Sequence, residues 1–424
     1  MTSRTPGTPG PRPPEPSGPE YLGREPQAPS PDALEGIKVV DTATLLAGPL
    51  IATLLGDYGA EVVKVEHPKG DALRSFGWVK DGVSLWWLFV NRNKACVTLS
   101  LSQPAGAALL KELVADADVL IENFRPGTME RWGLGWDELS AINPGLVMVR
   151  VTGFGQTGPY SGRPGYGTLA ESMSGFAHLN GYPDGPPTLP PLALADGVAG
   201  CVGAFATLAA LRHRDATGAG QVIDQAIYEP LFWMFGTQAL VYDQLGQVPG
   251  RTGNRTPMTV PRNSFQAADG RWFGLSAASQ SIAERVIRLV GREDLVSQDW
   301  FADHTGRLRH QDEVEDAIAD WVAKRSSAEV TAAFEAVGAA IAPMYTIADI
   351  MDDPHYAHRE TIPVVEHDTL GPVRVPGVVS RLMATPGAVR HLGRSPGADN
   401  TAVYEGRLGH SANEVAAWRE AGVI

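Results

Sequence analysis

The chain has 424 residues, more than one compact core accommodates, and its 43% hydrophobic and 20% charged composition is that of an ordinary globular protein. Its 35 basic side chains stand against 48 acidic ones, a formal charge of −13 that argues against a nucleic-acid or anionic-membrane surface. An anionic ligand must therefore be met by a local cluster of cations.

The first 34 residues are rich in Pro, Gly, Ser and Thr and contain no apolar stretch, so they read as a disordered tail and not a signal peptide. No apolar run approaches the roughly eighteen residues that span a membrane. Cys96 and Cys201 lie far apart in apolar surroundings without metal-like spacing, and read as reduced core residues of a cytoplasmic protein that needs no metal.

From Gly36 onward short β-rich runs alternate with helical ones. Ile37–Asp41 reads as a strand, Leu50–Tyr58 as a helix and Glu61–Glu66 as the next strand, a βαβ unit. Cys96–Leu101, an amphipathic Gln103–Ala115 helix and Asp118–Glu122 repeat the pattern; a short helix carrying Trp132 and Trp136 leads to the strand Gly145–Thr152. This alternation predicts a Rossmann-like parallel sheet covered on both faces, with ligands at the C-terminal strand ends.

Gly153 to Gly158 matches G-x-G-x-x-G, but the Pro159–Pro164 loop follows where a dinucleotide site needs a helix, so the match is accidental. Tyr166–Gly175 reads as a short helix. The run Leu189–Gly200 then ends an apolar stretch in one acidic residue, Asp196, and opens a small-residue helix that continues through Ala210. A carboxylate there suits the free N–H groups and dipole of a helix start, so a cap and a catalytic acid are both open on local pattern. Beyond Gly218–Asp224 a long apolar helix is expected over Ala226–Leu245; its aromatic stripe (Tyr228, Phe232, Trp233, Phe235) marks core or a subunit interface.

After a polar linker, Ser264–Ala277 reads as a hairpin turning at Asp269-Gly270, followed by helices near Gln280–Val290, Gln311–Lys324 and Ala328–Gly338. Ile341–Ile347 returns as a strand, two β segments follow (Val364–His367 and Val373–Pro376), and Ala412–Glu420 is the terminal helix. The expected division is a tail (1–34), a large domain (35–225), a helix and linker (226–262), a small α+β domain (263–340) and a return to the large domain (341–424).

Several segments, taken in order, resemble the family III CoA-transferases, the formyl-CoA transferase and carnitine-CoA transferase group. They are Leu46–Pro49 with Gly56–Glu66, Gly70–Arg74, Asn91–Lys94, Glu122–Gly127, Gly153–Gly155 with Gly158–Tyr160, and the Asp196 segment. The resemblance implies that Asp196 is the catalytic carboxylate, attacking an acyl-CoA thioester to give an aspartyl–acyl anhydride and passing CoA on through an aspartyl-CoA thioester. At its reference pKa of about 3.9 an Asp is ionised at neutral pH, as a nucleophile requires, and the helix-start N–H groups are expected to steady anionic intermediates.

The resemblance further implies coenzyme A contacts at Ala47 and Leu99 (adenine), at His67, Arg125 and Arg131 (phosphates), at Asn123 and Phe124 (pantetheine) and at Tyr166 (thiol end). Arg92 is a further phosphate candidate, with Arg92 and Lys94 equally readable as solvated surface cations. The implied architecture is an open-sheet domain built from both chain ends with a small domain inserted, in an interlocked homodimer whose substrates are acyl-CoA and carboxylic acids. Two rivals stand beside it. The racemase branch of the superfamily has a His-Asp pair where this chain has Tyr166-Gly167, and a Tyr with a pKa of about 10 is a poor base at neutral pH. A CoA-binding protein without chemistry needs the nucleotide contacts but not Asp196. Gly167 also departs from the transferases, in which an acidic residue is usual.

Overall fold

The computed structural model describes residues 32–424. Residues 1–31, most of the expected tail, lie outside the described residues; Leu34 donates its N–H to the Tyr58 carbonyl at 3.0 Å.

Six strands form the large sheet: β1 (Lys38–Asp41), β2 (Glu61–Glu66), β3 (Lys94–Thr98), β4 (Val119–Glu122), β5 (Val147–Thr152) and β6 (Gln221–Ala226). Their order is β3-β2-β1-β4-β5-β6, and every neighbouring pair is parallel. This is the doubly wound order, whose ligands sit outside the C-terminal strand ends where the winding reverses, here between β1 and β4. The sequence of β5 shows how both faces are covered. Val147, Val149 and Val151 join the core built on helices α1 (Ala47–Asp57) and α4 (Leu194–Thr217), whereas Met148 joins the one built on α2 (Pro104–Ala115). A short helix, α3 (Gly167–Met173), lies between α2 and α4 in the chain.

Helix α4 packs on α1 through its glycines: a Cβ on Gly203 would stand 2.4 Å from an Ile51 side-chain carbon, and one on Gly200 would stand 2.9 Å from Leu50. By length and composition α4 could cross a bilayer, contrary to the expectation from the sequence, where Asp196 divides the apolar run. Cys201, expected in the core, is exposed on it.

The edge strand β3 is closed by the C-terminal segment. Asp399 accepts from Cys96 N–H at 2.7 Å and donates its own N–H back at 3.0 Å, Asn400 accepts from Thr98 N–H at 2.9 Å, and Ser100 N–H donates to the Val423 carbonyl at 2.7 Å. An edge bonded this way offers no template for another strand. A second core (Phe265, Phe273, Ile318, Phe334) forms around the antiparallel strands Arg262–Gln266, Trp272–Ser276 and Ile341–Pro343, the first two joined as the expected hairpin.

Two expected elements are different. Gln221–Ala226, most of it expected as a turn, is strand β6, and the expected long helix Ala226–Leu245 is two helices, Tyr228–Trp233 and Gln238–Leu245. The β-branched Val222 and Ile223 extend beside β5, and Gly236 at φ +60° separates the helices. The run Ile341–Ile347 is strand only to Pro343, because Thr346 and Asp349 form a capping box that starts the helix Ile347–Asp352.

Arg92 and Lys94 are buried structural cations, not surface ones. Arg92 pairs with Asp57 through Nε (3.0 Å) and Nη2 (2.6 Å); Lys94 donates to Asp41 at 2.9 Å and to the Pro49 carbonyl at 2.7 Å, and burial pushes its amine down to about 8. Arg92→Met leaves the buried Asp57 carboxylate without its cation and is expected to lower stability by about 3–5 kcal/mol in urea unfolding. A loss below about 1 kcal/mol, the range of exposed pairs, contradicts the structural role.

Candidate active site

A cavity of about 830 Å³ opens at the C-terminal ends of β1, β4 and β5. One wall is the turn between β1 and α1. Leu45 occupies it at φ +63°, a conformation that costs a non-glycine residue energy and needs support from its surroundings. Its neighbours supply that support: Asn123 accepts from Thr44 N–H at 2.8 Å and donates to the Thr44 carbonyl at 2.7 Å, Lys64 Nζ donates to the Ala43 carbonyl, and Lys94 holds Pro49. The opposite wall is the loop from β5 to α3. Here the backbones of Gly153 and Gly165 cross so closely that a Cβ on Gly165 would lie 2.5 Å from the Gly153 Cα. That crossing gives Gly153 a structural reason unrelated to nucleotides.

Asp196 lies at the floor, half-buried in the first turn of α4 and two residues inside the helix, which starts at Leu194. It is not the cap. That function belongs to Glu171 of α3, whose buried carboxylate accepts from Leu194 N–H at 3.1 Å and from Ala195 N–H at 3.3 Å. Two of the helix-start donors expected to steady anionic intermediates are thus taken by Glu171, with Leu194 N–H shared with the Leu192 carbonyl at 2.8 Å. Among the described residues the Asp196 carboxylate accepts no hydrogen bond. Burial, and then the negative charge of Glu171, push it up to about 6, well above the ordinary value assumed from the sequence.

Gly167 is the third part of the floor. A Cβ there would stand 2.4 Å from Asp196 Oδ2, so a side chain at this position, where an acidic residue is expected, requires the Asp196 carboxylate to move.

Ala47, Asn123, Phe124, Arg125 and Tyr166 line the cavity with Asp196. His67, Leu99 and Arg131 do not. His67 is exposed in the loop after β2, the Leu99 side chain is 1% exposed within the core, and Arg131 is exposed and donates to Thr128 Oγ1 at 2.9 Å. The sequence reading passed over Glu171 and Arg163, which also lines the cavity. Nothing local marks Glu171, because its partners are 23 and 24 residues away.

A doubly wound sheet with a half-buried carboxylate at its switch-point cavity is an α/β fold with a candidate catalytic acid. The CoA-transferase family III profile matches residues 34–400. The chain is 43% identical over 396 residues to the succinyl-CoA–L-malate CoA-transferase beta subunit of Chloroflexus aurantiacus, covering 92% of this chain and 98% of that one. It is 39% identical over 388 residues to the succinyl-CoA–D-citramalate CoA-transferase of the same organism, covering 91% and 96%. A crystal structure of a CAIB/BAIF family protein from Brucella suis superposes with a TM-score of 0.78 at 30% identity, covering 89% of this chain and 100% of that one. The chain belongs to CoA-transferase family III.

Glu171→Gln retains an oxygen for both N–H groups and removes the negative charge. Without a like charge nearby Asp196 ionises more readily, so its pKa falls and, if Asp196 is the reacting carboxylate, the acid limb of the kcat/KM profile for CoA transfer moves to lower pH. An unmoved limb shows that burial alone sets the value.

Proposed function

We propose that this enzyme exchanges CoA between an acyl-CoA and a carboxylic acid through covalent intermediates on Asp196. The observation that carries the reading is the Asp196 carboxylate itself. It faces the cavity, accepts no hydrogen bond among the described residues and has a raised pKa, whereas the neighbouring Glu171 is committed to the helix end. An Asp196 oxygen attacks the thioester carbonyl, the C–S bond breaks, and CoA leaves as thiolate from a mixed anhydride. The thiolate then attacks the aspartyl carbonyl, releasing the donor acid and forming an aspartyl-CoA thioester. The acceptor carboxylate attacks that thioester, and returning thiolate attacks the acceptor acyl carbon, which frees Asp196 and yields the new acyl-CoA.

CoA enters along the β1–α1 turn, past Ala47, with pantetheine against Asn123 and Phe124, a phosphate on Arg125 and the thiol end beside Tyr166. Its nucleotide extends past the lip toward the exposed His67 and Arg131, and at Leu99 only backbone is available, since that side chain is core. The relatives named for succinyl-CoA, malate and citramalate support dicarboxylic substrates. Racemisation is disfavoured because Gly167 supplies no base and Tyr166 is exposed.

The large unit is residues 35–225 with the C-terminal part of the chain returning to it; the small unit, expected over 263–340, extends to Pro343, since Ile341–Pro343 pairs with Trp272–Ser276, and 226–262 joins the two. The contacts of Asp399, Asn400 and Val423 with β3 and its continuation support this division, as does the separate core around Phe273. A homodimer is supported by apolar side chains left in solvent on successive elements: Phe205 on α4, then Trp233, Leu240 and Tyr242, exposed by 61% or more. The free thiols of Cys96 and Cys201 support a cytoplasmic location.

Asp196→Asn, nearly isosteric, is expected to lower kcat at least about 10³-fold. Hydroxylamine added during turnover converts wild-type Asp196 to a hydroxamate visible by mass spectrometry. Transfer at the parental rate by the Asn variant sinks the mechanism; retained CoA affinity with no transfer in the wild type marks a non-catalytic binder. Light scattering is expected to give twice the chain mass, falling toward a monomer in Trp233→Asp with Phe205→Glu. A monomeric wild type refutes the dimer.

A further inference from the structure

We propose that Arg163 is the specificity residue for dicarboxylic substrates, gripping the remote carboxylate while the other end reacts at Asp196. The inference rests on the CoA-transfer reading above and adds to it the residue that selects the acid.

The charges around the cavity set the problem. Its charged lining residues are Asp196, Glu171, Arg125 and Arg163. The floor is thus doubly acidic, and a substrate bearing a second carboxylate is repelled from it unless a cation stands nearby. Most cations close to the sheet are already engaged: Arg74 pairs with Glu66, Arg92 with Asp57, and Arg150 with Glu122 and Glu130. Arg125 and Arg163 have no carboxylate partner among the described residues.

Position separates the two. Arg125 follows Phe124 after β4, on the wall where Asn123 holds the β1–α1 turn and CoA enters. Arg163 is four residues before Gly167, whose Cα packs against the Asp196 carboxylate, and two before Gly165, whose backbone is pressed on Gly153. The segment from Arg163 to the nucleophile is therefore short and pinned at both glycines.

The guanidinium is also preset. Its central carbon lies 3.8 Å from the centroid of the Tyr160 ring, and that ring meets Phe154 edge-on at 6.1 Å, so the stack rests on a residue adjoining Gly153. Stacking uses the face of a guanidinium and leaves the N–H edges open, the geometry that grips a carboxylate with two parallel hydrogen bonds. A free arginine on an exposed loop loses side-chain entropy on binding; one already stacked loses less.

The matched probes are succinyl-CoA and butyryl-CoA, equal in chain length and differing in the terminal carboxylate, and the corresponding free acids. In Arg163→Met the ratio of kcat/KM for succinyl-CoA to that for butyryl-CoA is expected to fall about 10- to 100-fold, the worth of a hydrogen-bonded charge pair, with partial rescue in Arg163→Lys. Calorimetry of succinate and butyrate binding to the full-length protein gives a readout that requires no turnover, and circular dichroism confirms that the variants are folded. An unchanged ratio overturns the proposal, as does an equal loss for both thioesters, which assigns Arg163 to CoA itself. So does a wild type that binds butyrate as well as succinate. Failure of the transfer mechanism is seen separately, as absence of the hydroxylamine adduct on Asp196.

Discussion

Two carboxylates meet at the start of one helix, and their unequal shares of its N–H groups set the chemistry of the site. Glu171 takes the donors of Leu194 and Ala195, while Asp196, the next residue, takes none and faces the cavity. A carboxylate without donors, half-buried and beside a like charge, holds its proton to about pH 6. At neutral pH it is still about nine-tenths ionised, yet it is more basic than an ordinary aspartate, and nucleophilicity rises with basicity. A capping Asp196 would have had neither property. With the helix end served by Glu171, the Asp196 carboxylate is left free for the role proposed for it.

That arrangement depends on close backbone approaches that admit no side chains. Gly167 makes room for the Asp196 oxygens, and the crossing of Gly153 with Gly165 brings the β5–α3 loop over the floor. The facing wall is held by buried charge. Asp41 lies between Lys64 and Lys94, and the two amines reach the carbonyls of Ala43 and Pro49 on either side of the strained Leu45. Buried ion pairs are poor sources of net stability, so a wall built on them is better explained by the geometry they impose on the turn.

How much of this is legible in the sequence follows from the range of each interaction. The parallel strands could be read because each carries its own apolar run, as Val147–Thr152 does, and Asp196 could be found because it alone interrupts a small-residue helix. Edge strand β6 could not: exposed on one side, Gln221–Ala226 mixes polar and β-branched residues, and its neighbours suggested a turn into a helix. Glu171 was invisible because a cap made from another helix leaves no local spacing. Arg92 shows the converse error. A cation between two asparagines looks like loop surface until the fold brings Asp57 to it from 35 residues away.

The same accounting bears on how the site excludes water. A mixed anhydride or an aspartyl thioester is lost to hydrolysis in an open, wet cavity. Phe76, Trp78, Leu189 and Leu192 ring the mouth as exposed apolar side chains, which is costly in the empty protein. Their exposure has a purpose if the thioester arm of CoA is what covers them. Under the proposed mechanism, binding then buries the rim and expels water from above Asp196, leaving the CoA thiolate and the substrate carboxylates as the nucleophiles there. On the proposed mechanism the ligand's own apolar surface, laid over Phe76, Trp78, Leu189 and Leu192, is what would shield the intermediate from water.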